Sequence, residues 1–171
     1  MIRLDTPIGV SEIRKLKAGD QVEIYGRILC GRDAVLPKLA AMIREGRQKD
    51  LPVDLTGSVI FHTAVSPAGI GPTTSNKVEI EESIPELAKA GVRVHLGKGS
   101  LGKDTIRALE QYDSVFAVTP PVSALFSNRT LEQKVVAFQE EGMEALFEIL
   151  VEGLPAIIAA ANGTTFFDPK K

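Results

Sequence analysis

The spacing of apolar positions along this chain changes from a period of two to a period near 3.6 and back. Residues 21–29 alternate apolar with polar, which predicts a half-buried strand. Residues 59–65 are rich in β-branched side chains and predict a second strand. Short apolar runs at 92–96, 114–118 and 156–160 predict three more. Between these segments the period lengthens. Leu36, Leu39, Ala40 and Ile43 fall on one helical face. The predicted helix runs on through Arg47, with Pro37 in its first turn, the one turn where a missing N–H does no harm. Residues 79–90 carry acids in the first turn and Gly91 at the end, the charge and stop signals of a helix. Residues 104–111 predict another helix, and 143–151 one more, flanked by the last two strands. Ser11 is placed to cap a short helix that runs through Leu16 and stops before Gly19-Asp20. Such alternation implies an α/β sheet with helices packed on it. Ligands of these sheets bind in loops beyond strand ends. Here those loops are residues 30–33, 66–77, 97–103 and 119–123.

Composition narrows the classes. At 171 residues, 44% hydrophobic and 25% charged, the chain suits one globular domain. That domain is expected over residues 1–167, with 168–171 as a frayed tail. No apolar run approaches the ~20 residues of a membrane helix. Met1-Ile2-Arg3-Leu4-Asp5 has no apolar signal core, so a cytoplasmic location is expected. A net charge of −2 offers no basis for nucleic acid or an anionic membrane as partner. The single cysteine, Cys30, excludes an internal disulfide framework. It also excludes a self-sufficient thiolate cluster. The two histidines, His62 and His95, are too few for a zinc site without help.

Three of the loops hold candidate chemistry. In Gly71-Pro72-Thr73-Thr74-Ser75-Asn76-Lys77, three adjacent hydroxyls and a lysine stand ahead of a helix, where they suit an anionic oxygen. The same residue types also make plain turns and caps. Gly97-Lys98-Gly99-Ser100-Leu101-Gly102-Lys103-Asp104 follows a predicted strand and opens a predicted helix. It matches a phosphate-binding loop up to Asp104, where that motif needs Ser or Thr for magnesium. A glycine turn with two solvated lysines is the plainer reading. Arg32, at a strand-to-helix junction, can hold a carboxylate through a two-pronged hydrogen bond. Asp33 can cap the next helix or pair structurally with Arg32.

In order along the chain, these segments resemble the β subunit of class I fumarases and tartrate dehydratases. The resemblance runs from Leu4-Asp5-Thr6-Pro7-Ile8 and Leu16-Lys17-Ala18-Gly19-Asp20 through Gly26-Arg27-Ile28 and Arg32-Asp33-Ala34. Leu51-Pro52-Val53-Asp54-Leu55-Thr56-Gly57 and Val59-Ile60-Phe61-His62 come next. Gly71-Pro72-Thr73-Thr74-Ser75, the most specific motif, and Gly97-Lys98-Gly99 follow. Glu141-Gly142-Met143-Glu144-Ala145, Pro155 and Asn162-Gly163 close it.

The resemblance implies a compact swivelling β/β/α domain of the fumarase C-terminal type. It implies one half of a hydro-lyase acting on a small dicarboxylic or hydroxy acid. A partner α subunit would carry a four-iron, four-sulfur cluster (4Fe-4S), with none on this chain alone. By motif, Arg32 clamps a carboxylate and Lys77 is a second cation. Thr73 stands at the proton-transfer position, with Thr74 and Ser75 beside it. Lys98 holds substrate or lowers the pKa of that hydroxyl. The sequence departs from the family pattern at Lys77-Val78, where Arg and Met are usual, and at Leu36, where a histidine is expected. Thr119-Pro120-Pro121-Val122 replaces a Gly-Gly-Ala segment, and the stretch from His62 to Gly71 is short. A noncatalytic partner-binding paralogue and a P-loop nucleotide binder are the two rival classes.

Overall fold

Strand closure dominates the architecture. The computed structural model describes residues 1–66, 69–73, 77–119 and 130–165. Its strands are β1 (Ile2–Asp5), β2 (Gln21–Cys30), β3 (Val59–Phe61), β4 (Thr63–Ser66), β5 (Gly69–Thr73), β6 (Val94–Gly97), β7 (Val115–Val118), β8 (Thr130–Ala137), β9 (Leu146–Ala161) and β10 (Thr164–Thr165). The helices are α1 (Val10–Arg14), α2 (Leu36–Arg44), α3 (Lys77–Lys89) and α4 (Lys103–Gln111), with 3-10 segments at Gln48–Asp50 and Gln139–Glu144. Strands β2, β3, β6 and β7 are parallel neighbours in that order. The long strand β9 pairs antiparallel with β7 and also with β2. Five strands therefore form a closed ring, with β1 and β8 added outside it.

The period-two pattern sorts the side chains. Val59 and Phe61 point into the ring with Ile24, Leu96, Val115 and Ile149, all fully buried. Ile60, between them, faces the other way, against Leu36, Leu39 and Ile43 of α2 and Leu87 of α3. Phe116 likewise faces out, onto Ile84, Ile106 and Leu109 of α3 and α4. Burying a Leu, Ile or Phe side chain is worth roughly 1.5–3 kcal/mol, so both faces of these strands contribute to stability. The α/β sheet with packed helices expected from the sequence is thus present, and its strands are mixed in direction.

Several elements differ from expectation. Of the predicted helix over 143–151, Met143 and Glu144 end a 3-10 segment and residues 146–151 are the first part of β9. Its apolar positions fit either period, and pairing decides: Phe147 to Val151 have β2 on one side and β8 on the other. Glu148 and Glu152 lie on the more exposed face, and Gly153 (φ 72°) sits at a bulge opposite Ile24 and Tyr25. The predicted strand over 59–65 breaks at His62: β3 stays in the ring, and β4 leaves it to pair with β5. Ser11 lies inside α1; the cap is Gly9, whose N–H donates to the Glu12 carboxylate at 3.0 Å. Helix α2 ends at Arg44, before Gly46 at φ 77°. The 168–171 tail lies outside the described residues.

Gly26 shows how tightly β1 is tied to β2. It has φ 111°, and a Cβ there would overlap the Thr6 hydroxyl. Thr6 N–H donates to Tyr25 O at 3.0 Å at the same point. Gly26→Ala is expected to lower the urea midpoint with an unchanged m-value, by on the order of 1–3 kcal/mol. An unchanged midpoint would show that this junction yields freely.

Candidate active site

Parallel strands deliver their C-terminal loops to one edge. Arg32 lies two residues past β2, His62 directly follows β3, and Lys98 directly follows β6. Adjacent strands are about 4.8 Å apart, so the Arg32 and Lys98 backbones, two strands apart, stand roughly 10 Å from each other. The ladder continues past the strand ends and holds the loops. Gly31 N–H donates to Phe61 O at 3.0 Å, and His62 N–H to Leu96 O at 2.9 Å. In the β4–β5 hairpin, Thr73 pairs with Thr63, the residue after His62. Helix α3 begins at Lys77, four residues past Thr73. The backbone thus sets Arg32 and Lys98 past the ends of parallel strands, with Thr73 paired to Thr63 beside His62. Thr74, Ser75 and Pro120-Pro121-Val122 lie outside the described residues, as do the side chains of Thr73 and Lys77.

Arg32 is fixed by a residue the sequence did not single out. Its Nη2 donates to Glu144 Oε2 at 2.6 Å, with both side chains about three-quarters buried. Glu144 ends the 3-10 segment, whose helical path is broken by Gly142 at φ 61° and ψ −123°. The sequence signal for it is the Glu141 to Ala145 motif of the resemblance. Asp33 does not cap α2. The cap is Val35, without a side-chain hydrogen bond, and the Arg32 carbonyl accepts from the Val35 and Leu36 N–H groups. Arg32, Asp33, Leu36, His62 and Ser83 border a nearly closed cleft of about 10 Å³, room for about one water.

Behind the cleft, His62 Nε2 and His95 Nδ1 lie 3.2 Å apart, and both residues are buried. Burial lowers the His62 pKa to about 4. His95 is lowered well below its ordinary value by burial and by its neighbour His62. Both rings are therefore neutral at physiological pH.

Lys98 is exposed on the Gly97–Gly102 loop. Gly97 packs closely on Phe116: a Cβ there would meet the ring at 3.1 Å. Gly99 adopts φ 84°. At the end of this loop the Glu81 carboxylate, from α3, accepts from the Gly102 N–H at 2.8 Å and from the Thr105 hydroxyl. A phosphate-binding loop offers these same groups at a helix N-terminus to phosphate. Here a protein carboxylate holds that place, which argues against the nucleotide reading. Lys103 is simply the exposed first residue of α4. Cys30 points into the core of the ring, where burial raises its thiol pKa. It is no candidate ligand for an iron–sulfur cluster.

A profile of the family described as Fumarase C-terminus matches residues 1–169. The chain belongs to this family. Fumarase C-terminus relatives include a protein provisionally named L(+)-tartrate dehydratase subunit beta from Methanocaldococcus jannaschii. It is 31% identical over 172 residues, covering 92% of this chain and 86% of that protein. The L(+)-tartrate dehydratase subunit beta of Escherichia coli K12 is 25% identical, over 93% of this chain and 82% of its own length. A provisionally named fumarate hydratase class I from Geobacillus stearothermophilus is 31% identical over 92% of this chain. This chain spans only 32% of that longer protein. Among the described residues, no helix is long and apolar enough to cross a membrane.

Two outcomes check this geometry. The histidines titrate near 6.5 when unfolded and lower when folded, so their stabilisation is complete above about pH 6.5 and is lost as pH falls toward 4. For His62 alone the loss is on the order of 3 kcal/mol across that window. Urea midpoints at pH 7.5 and pH 5 measure it, and a His62→Gln, His95→Gln double variant should flatten the profile. Equal wild-type midpoints at both pH values would contradict the burial. In equilibrium dialysis, ATP with magnesium should not bind; micromolar binding would mean that Glu81 yields its place to phosphate.

Proposed function

We propose that this chain is the β-type half of a hydro-lyase that adds or removes water at a small dicarboxylic or hydroxy acid. The observation that supports the reading is that Arg32 and Lys98 follow the ends of parallel strands and that Thr73 pairs with Thr63, two residues past β3. Two relatives bear the name tartrate dehydratase subunit beta and another fumarate hydratase, which favours water chemistry on a small acid. The same reading takes residues 1–167 as the hydro-lyase domain, in the cytoplasm, swivelling against a partner α subunit. A 4Fe-4S cluster belongs on that partner, because the only thiol here is buried in the core. When bound there, the cluster supplies a Lewis acid for the substrate's oxygens.

The residues of this chain do the rest. Arg32, held in orientation by Glu144, makes charge-assisted hydrogen bonds to a substrate carboxylate. Lys77 adds a point charge rather than a second guanidinium fork. Thr73 moves the proton. A threonine hydroxyl is a poor base, and the Lys98 ammonium favours its deprotonated form. Thr74 and Ser75 contribute hydroxyl donors to the substrate.

The test is turnover of the chain co-expressed with a cluster-bearing partner. Lys98→Ala should lower kcat by about a hundredfold, and Lys103→Ala should change it little. Arg32→Ala should lower kcat/KM by roughly tenfold or more. Wild-type kinetics in Lys98→Ala would remove that residue from the site. A stable complex with no activity on malate, fumarate or tartrate would favour a noncatalytic partner-binding subunit. Iron and sulfide added to the purified chain alone should give no stoichiometric cluster.

A further inference from the structure

Asn162-Gly163 closes the family resemblance, yet the chemistry above does not use it. The pair forms the two-residue turn between β9 and β10, with Ala161 paired to Thr164 across it. Both turn residues have positive φ, 50° and 82°, as the tightest hairpin turns demand. Asparagine tolerates that conformation and glycine adopts it freely. The asparagine side chain adds a grip of its own. Its Nδ2 donates to Leu16 O at 2.7 Å and to Arg14 O at 3.3 Å. The same stretch of chain is tied to β9 by Gly19 N–H to Ile158 O and Ile158 N–H to Asp20 O, each at 2.8 Å. The turn therefore helps hold the end of α1 against the strand that closes the ring.

An Asn-Gly pair is also chemically reactive. The backbone nitrogen of the glycine, on losing its proton, attacks the side-chain carbonyl carbon of the asparagine. A C–N bond forms, ammonia leaves and a five-membered succinimide results. Water then opens that ring at either carbonyl, giving aspartate or isoaspartate. Glycine favours the attack because no Cβ shields its nitrogen. Asn162 is the one asparagine of this chain followed by glycine; Asn76 precedes Lys77 and Asn128 precedes Arg129. Asn162 and Gly163 are exposed. Among the described residues, the Gly163 N–H donates to no backbone carbonyl.

We propose that Asn162 is a guarded deamidation site: its two hydrogen bonds hold the amide against attack, and its conversion to a carboxylate releases the end of α1 from β9. The amide nitrogen is the leaving group, and held by two carbonyls it is not free to depart. After conversion the side chain has no N–H to give. A carboxylate, which only accepts, would then face the Leu16 and Arg14 oxygens, which also only accept. The Glu110 carboxylate already lies against Gly163, 2.8 Å from where a Cβ would stand, a second negative group at this turn. Isoaspartate would further lengthen the backbone of a two-residue loop by one methylene.

The test begins with the wild-type chain, kept at mildly alkaline pH either folded or in concentrated urea. Peptide mapping by mass spectrometry follows aspartate and isoaspartate at each asparagine. In urea, Asn162 should convert faster than Asn76 and Asn128. In the folded chain its conversion should slow by about tenfold, the factor that two ordinary hydrogen bonds imply. A second arm uses Asn162→Asp and Asn162→Gly, which both accept positive φ. The Asp variant should have a lower urea midpoint than wild type and than the Gly variant. Trypsin should cut it after Lys15 or Lys17 about threefold faster than wild type, as a locally released segment allows. Equal conversion of Asn162 in folded and unfolded chains overturns the guard, and no conversion in urea overturns the site. A wild-type midpoint and digestion pattern in Asn162→Asp overturn the release of α1. If that variant does not fold, the aged wild-type chain, separated by charge into converted and unconverted fractions, is digested in its place and decides.

Discussion

Everything at the candidate site depends on the double pairing of β9. This single strand of 16 residues closes the ring by joining β7 to β2. The parallel strands β2, β3, β6 and β7 each place their loops at one edge, but only closure makes that edge a defined rim. The register of β9 against β2 also explains the Arg32–Glu144 pair. Cys30 stands opposite Phe147. Arg32 is two residues beyond Cys30, and Glu144 is three residues before Phe147. Antiparallel geometry carries them toward each other across a gap of 112 residues in sequence. One hydrogen-bonded ladder therefore both builds the core and aims the arginine.

The helices add a second constraint. Helix α3 starts at Lys77 and reaches the far loop through Glu81, whose carboxylate caps α4 at Gly102 and Thr105. The loop bearing Lys98 ends at that cap. Helix α3, which begins at Lys77, and the segment carrying Lys98 are thus tied to a common anchor. Carboxylates at helix N-termini are favourable in themselves, so the tie stabilises the fold as well as the loop.

Much of the frame was legible because its periods are strong. Leu36, Leu39, Ala40 and Ile43 marked α2, and residues 21–29 marked β2, since each segment buries one face. The failures have physical causes. Residues 146–151 read as a helix because a short apolar run fits both periods, and what decides is pairing with β2 and β8, which no local pattern contains. Strand β8 carries no clear period because Glu132, Gln133 and Lys134 run together; its Lys134 and Glu132 meet Glu148 and Arg27, and only its end at Val136 and Ala137 reaches the core. The site divided the same way. Arg32 and Lys98 stood out as cations in glycine-bearing or junction loops. Glu144, Glu81 and the His62–His95 pair did not, because each acts through a residue distant in sequence.

The His62–His95 pair shows what a residue list leaves out. Two histidines counted from the sequence suggest at most a fragment of a metal site. Packed at 3.2 Å within a buried wall, they cannot both offer a lone pair to a metal through the facing nitrogens, because one of those nitrogens must carry the shared proton. Burial also keeps them uncharged, so they do not act as cations beside Arg32. Positive charge at this edge comes from Arg32 and Lys98, on loops at the rim, while the neutral imidazoles lie in the interior behind them.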